Sequence, residues 1–147
     1  MKFLIINGPN INFLGIREPA IYGRTTYADL CEKLQGWCAD VGVECELFQS
    51  NHEGAIVDRI QQAYFDKVDG IVMNPAAYTH TSVAILDALK ATAIPTVEIH
   101  ISDVNTREAF RQHSYISLAA VHQVIGHGID GYRESIEWLA DHLRKAP

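Results

Sequence analysis

The sequence predicts a three-layer α/β sandwich built on a five-stranded parallel sheet. Three observations carry this reading. Short β-branched apolar runs alternate with longer segments of helical period; the runs are short enough to be strands buried on both faces; and each helical segment opens near a residue suited to cap it. The 147 residues suit a single domain over 1–147. No internal repeat, low-complexity tract or linker marks a boundary.

The elements follow in order. Lys2 to Ile6 reads as the first strand, Val43 to Phe48 as the second, Gly70 to Met73 as the third, Pro95 to Ile99 as the fourth and Ala120 to Ile125 as the fifth. Between the first two, Tyr27, Leu30, Cys31, Leu34, Trp37, Cys38 and Val41 recur at three- and four-residue steps and predict a helix with one apolar face. Further stripes run through Ile56, Ile60, Ala63 and Tyr64, through Val83, Leu86 and Leu89, and through Tyr132, Ile136, Leu139 and Leu143. Thr25 or Thr26, Ser50 or Asn51, Thr81 or Ser82, and Asp130 are placed to cap these four helices, and a short helical turn is expected near Arg107 to Arg111. With right-handed crossovers the pattern is flavodoxin-like, a fold whose ligands bind beyond the carboxyl ends of the strands.

Composition removes several classes of function. The net charge is −6 and no block of basic residues occurs, so nothing marks a nucleic-acid or anionic-membrane surface. No apolar run approaches the roughly 20 residues needed to span a bilayer, and the start MKFLIINGPN carries one charge followed by a strand-like run, unlike a signal peptide. Cys31, Cys38 and Cys45 match neither a disulfide framework nor a metal-ligand spacing, and are expected as core residues of a cytoplasmic protein.

The strand exits are unusually polar. The segment from Asn7 to Arg24 is about three times as long as an ordinary βα loop. It lacks the glycine patterns of dinucleotide and P-loop sites, yet holds three asparagines, two arginines and a tyrosine, with Gly15 and Gly23 placed as hinges for a lid. The third exit, Asn74-Pro75-Ala76-Ala77-Tyr78-Thr79-His80-Thr81-Ser82, leads to a helix N-terminus suited to an oxyanion. The fourth is Glu98-Ile99-His100-Ile101-Ser102-Asp103. Two histidines at the exits of one parallel sheet matter more than either alone. No HExxH or Cys/His spacing accompanies them, so no metal is expected.

The phrases NGPNINFLGIREPAIYG, QSNHEG, NPAAYTHTS, VEIHISD and REAFRQHSYIS, in this order and spacing, resemble the type II 3-dehydroquinate dehydratases over almost the whole chain. The resemblance implies conversion of 3-dehydroquinate to 3-dehydroshikimate and water, in the shikimate pathway or quinate catabolism. It implies no metal or organic cofactor and a dodecamer made of four trimers. By position it gives Tyr22 as base, Arg17 as its activator, His100 as proton donor and Asn12 on the enolate side. It also places Asn74 and the backbone amides of Ile101 and Ser102 on the carboxylate and nearby hydroxyls, His80 and Arg111 on the ring hydroxyls, and Asp87 in the neighbouring subunit's site. Three departures from the family pattern stand out: Ala76 where glycine is usual, no histidine in Asp103-Val104-Asn105-Thr106, and a histidine within Gly126-His127-Gly128.

The chemistry accounts for these residue types. Removing a proton α to a ketone and expelling a β-hydroxyl needs a base, an enolate stabiliser and an acid. A tyrosine of pKa about 10 is ionised in roughly one molecule per thousand at pH 7. A guanidinium about 4 Å away, at an effective dielectric near 20, offers roughly 4 kcal/mol towards ionising it, and desolvation opposes part of this. Glu98, two residues before His100 on one strand face, is placed to orient the imidazole and support its protonated form.

Other functions fit less well. A lysine Schiff-base dehydratase would need a lysine at a strand exit, and Lys2, Lys33, Lys67, Lys90 and Lys145 all lie elsewhere. A response regulator would want acidic residues where Asn7 and Asn74 stand. The alternative retained is a catalytically silent flavodoxin-like module that binds a small molecule.

Overall fold

Phe3, Leu4, Ile5 and Ile6 are all completely buried, so β1 (Lys2–Asn7) has core on both its faces and must lie inside the sheet. The computed structural model describes residues 1–16, 18, 20 and 24–146. β1 pairs in parallel with β2 (Glu44–Gln49) and with β3 (Gly70–Asn74). β3 then pairs with β4 (Thr96–His100), and β4 with β5 (His122–Ile125), giving the order β2-β1-β3-β4-β5. This is the expected five-stranded parallel, flavodoxin-like sheet.

The first four strands each run one residue further than their apolar stretches. Asn7, Gln49, Asn74 and His100 close them, rather than Ile6, Phe48, Met73 and Ile99. A parallel ladder is made by the backbone and continues past the last apolar side chain. One consequence is that the rim of the sheet carries polar side chains held at strand precision.

Alternate residues feed opposite cores. Phe3, Ile5, Val72, Val97 and Ile99 pack with Leu30, Leu34 and Cys38 of α1 (Tyr27–Asp40) and with Tyr132, Ile136 and Leu139 of α4 (Asp130–Lys145). Leu4, Ile6, Ile71 and Met73 pack on the other side with Ile56, Ile60 and Ala63 of α2 (Glu53–Phe65) and with Ile85 and Leu89 of α3 (Val83–Thr92). Cys38 is buried, Cys31 and Cys45 are half-buried, and all three are free thiols. Among the described residues no helix is long and apolar enough to cross a membrane.

The caps follow expectation at α1 and α3. Thr26 and Asp29 form a reciprocal capping box, and the Ser82 hydroxyl accepts from the Ile85 amide at 3.0 Å. The starts of α2 and α4 differ. His52 is the N-cap of α2 and makes no side-chain cap, while Ser50 turns its hydroxyl to the His52 amide at 3.0 Å. Ile129 precedes α4, and Asp130 sits in its first turn, where its charge favours the helix dipole. The expected turn near Arg107 to Arg111 is a pair of 3₁₀ turns, Val104–Thr106 and Ala109–Arg111.

Two glycines mark close approaches of the long loop. The Gly8 amide donates to the Asn74 carbonyl at 2.8 Å, and a Cβ at Gly8 would lie 2.5 Å from the Pro75 carbonyl oxygen, so only glycine permits this approach of the first and third exits. At Gly15, φ is +83° and a Cβ would lie 3.2 Å from both the Arg24 carbonyl oxygen and the Thr26 Cα. The middle of the loop therefore packs against its far end.

Candidate active site

The exits of β1, β3 and β4 converge on one cavity of about 190 Å³, lined by Pro9 to Ile11, by Asn74, Ala76, Ala77 and His80, by His100 to Ser102, and by Val104, Arg107 and Arg111. This is the carboxyl edge of the sheet, where a doubly wound fold leaves a crevice.

His100 forms part of its wall. Its Nε2 lies 2.5 Å from Glu98 Oε2, with the carboxylate completely buried beneath it. Strand periodicity explains the pair: Glu98 and His100 share the face opposite Val97 and Ile99. The carboxylate is held on every side. Gln123 Nε2 donates to Oε1 at 2.9 Å, while the hydroxyls of Thr79 and Ser114 lie 2.8 and 2.7 Å from Oε2 and 2.6 Å from each other. Burial by itself would push this carboxyl upward. Hydrogen bonding and attraction from His100, with hydrogen bonds from Ser114 and Gln123, more than offset that and hold it below the ordinary carboxylate value. Glu98 is thus an anion under His100, which directs the Nε2–H of the ring downward.

His80 enters from the 3₁₀ turn Ala76–His80 after β3. Its Nδ1 lies 2.7 Å from the His113 carbonyl, an acceptor, so Nδ1 carries the proton and Nε2 is an acceptor when the ring is neutral. Burial, and repulsion from His100 and Arg111, outweigh that carbonyl and lower its pKa. His80 is therefore neutral near pH 7. Arg111 Nε donates to Glu108 Oε2 at 2.7 Å, leaving the rest of its guanidinium for the cavity. Asn74 is 3% exposed; its Oδ1 accepts from the Ala76 amide at 3.1 Å and its Nδ2 donates to the Tyr132 hydroxyl at 2.9 Å. Among the described residues no group of His, Cys, Asp and Glu side chains is arranged to hold a metal.

The structure thus brings together His100, Glu98, Asn74, His80, Ile101, Ser102 and Arg111. Asn12 is not among the lining residues: its side chain is exposed and accepts from Gln49 Nε2 at 3.3 Å. Asp87 is exposed on α3, away from this cavity. Arg17 and Tyr22 lie outside the described residues. Sequence reasoning passed over Arg107, which lines the cavity, and over Thr79, Ser114 and Gln123, which hold Glu98.

Comparison with known proteins adds a family to this geometry. Residues 1–140 match the model of dehydroquinase class II. The chain belongs to that family. A 3-dehydroquinate dehydratase of Clostridium acetobutylicum is 53% identical over 145 residues, 99% of this chain and 100% of its own. A catabolic 3-dehydroquinase of Verticillium alfalfae is 54% identical over 97% of this chain and 95% of its own. The crystal structure of the type II dehydroquinase from Butyrivibrio crossotus superposes with a TM-score of 0.93 at 51% identity, covering 95% of this chain and 97% of that one. The family is one of hydro-lyases. The departures from the family pattern have local accounts. Ala76 adopts φ +51°, a conformation that glycine takes more easily. Asp103 accepts from the Asn105 amide at 3.0 Å and starts the turn before Arg107. His127 pairs with Glu134 at 2.7 Å on the surface.

Proposed function

We propose that the protein dehydrates 3-dehydroquinate to 3-dehydroshikimate through an enolate, in the shikimate pathway or in quinate breakdown. The observation that carries this is the Glu98–His100 pair at the wall of a cavity that also offers a neutral His80 and two arginines.

In this reading the Tyr22 phenolate, favoured by the Arg17 guanidinium, takes a proton from C2. The electron pair moves onto the C3 ketone oxygen, and Asn12 with a held water supports that charge, Asn12 exchanging its present Gln49 contact for the enolate. The enolate then collapses. The C1–O bond breaks, and His100, oriented by the Glu98 anion, gives a proton to the departing hydroxyl, which leaves as water. Asn74 and the amides of Ile101 and Ser102 hold the carboxylate and a nearby hydroxyl; His80 Nε2 and Arg111 hold the ring hydroxyls. Asp87 reaches the site of a neighbouring copy within a trimer, and four trimers make a dodecamer working in the cytoplasm.

The test is direct. Purified protein is mixed with 3-dehydroquinate and the ultraviolet absorbance of the conjugated product is followed, alongside His100→Ala and Tyr22→Phe. Wild type should turn over, and each folded variant should lose at least about 100-fold in kcat, the usual contribution of a positioned acid or base. A wild-type protein that binds 3-dehydroquinate without product would favour a silent binding module instead.

A further inference from the structure

One buried polar chain runs from the cavity into the core on the α1 and α4 side of the sheet. Tyr132, in the first turns of α4, is completely buried, and its hydroxyl passes under the ends of β1 and β3 to meet two asparagines. It accepts from Asn74 Nδ2 at 2.9 Å and donates to Asn7 Oδ1 at 2.6 Å. The two asparagines face each other in the register of β1 on β3.

The direction of every bond in this chain follows from one backbone group. The Ala76 N–H must find an acceptor, and it takes Asn74 Oδ1 at 3.1 Å. That turns Asn74 Nδ2 towards Tyr132. The tyrosine oxygen must therefore accept there, and its only proton goes to Asn7 Oδ1. Asn7 Nδ2 is buried and turned towards Tyr27 without a well-formed hydrogen bond, and the end of the chain that meets the cavity is Asn74.

We propose that Tyr132 is a positioning residue for substrate binding: by accepting one Asn74 amide proton it fixes the plane of that amide and directs the second proton into the cavity. This role rests on the reading of Asn74 as a substrate-binding residue. Burial pushes the phenol pKa up, against the Asn74 hydrogen bond, so the hydroxyl stays protonated and the chain keeps its direction over the working pH range.

The experiment compares Tyr132→Phe with Asn7→Ala in steady-state assays on 3-dehydroquinate. Both break the chain and both should lower Tm, but only the first disconnects Asn74. Y132F is expected to raise KM about tenfold with kcat within threefold and an unchanged pH profile of kcat, whereas N7A should stay within twofold of the wild-type KM. A wild-type KM for Y132F, or equal KM increases for both variants, would overturn the role and leave a purely structural hydroxyl. Should Y132F not fold, 3-fluorotyrosine at 132 keeps the shape and weakens the oxygen as an acceptor; KM should rise at least twofold, and an unchanged KM overturns the role. No turnover by the wild-type protein would remove the proposed function and this role together, while wild-type turnover with unchanged KM in the variants removes this role alone.

Discussion

A carboxylate with no solvent exposure survives only if its hydrogen-bond partners replace water, and Glu98 shows what that arrangement gives. Its two oxygens meet His100, Thr79, Ser114 and Gln123, drawn from four separate stretches of chain. The folded-state pKa lies below the ordinary 4.5, so the folded protein binds this proton less readily than the unfolded chain. The stability Glu98 contributes is therefore complete above about pH 4.5 and is lost as pH falls through its folded value. Glu98→Gln should lower stability by about 2 kcal/mol at neutral pH, through the loss of a charge-assisted contact with His100. Thermal melts of the two proteins should show a Tm difference that is greatest above pH 4.5 and narrows below it; a difference independent of pH down to acid unfolding would mean that Glu98 is not ionised in the fold.

The turn Ala76–His80 carries His80 and begins at a residue with φ +51°, which costs an alanine roughly 1 to 2 kcal/mol relative to right-handed backbone. Ala76→Gly should relieve that strain and raise stability by about 1 kcal/mol, less what glycine adds to unfolded-chain entropy, with kcat little changed. Denaturant unfolding measures it, and a destabilised A76G would show that the Ala76 methyl packing matters more than its backbone. This turn also illustrates what a sequence conceals. The strand exits were legible because fully buried parallel strands leave continuous apolar runs, and Glu98 and His100 were legible because a strand has a period of two. Thr79 and Ser114 were not, since single hydroxyls in turns have no pattern that separates a carboxylate clamp from loop polarity. Tyr132 sat in an apolar helical stripe and read as core; its hydroxyl bond to Asn7 spans 125 residues of chain, beyond any local period. His52 replaced Ser50 or Asn51 at the start of α2 because Ser50 bonds back to the His52 amide, a competition that cap preference alone does not weigh.

At the scale of the whole molecule, the sheet order puts the exits of β1 and β3 side by side at its centre and β4 next to them, so the proposed base and acid come from different crossovers of one rigid sheet. Asp87, exposed on α3, has its proposed partner in another copy. Light scattering on the purified protein should give twelve times the 16.4 kDa chain mass; a monomer with full turnover would remove Asp87 from the site. The Gly8 contact has a consequence of another kind. The loop that begins there can be cut without freeing either piece: a chain cleaved after the exposed Arg24 leaves an N-terminal peptide whose six-residue strand is hydrogen-bonded to neighbours on both sides and buried on both faces. A nicked molecule would stay one particle under native conditions, which makes this loop a place where new termini or an inserted tag leave the scaffold standing.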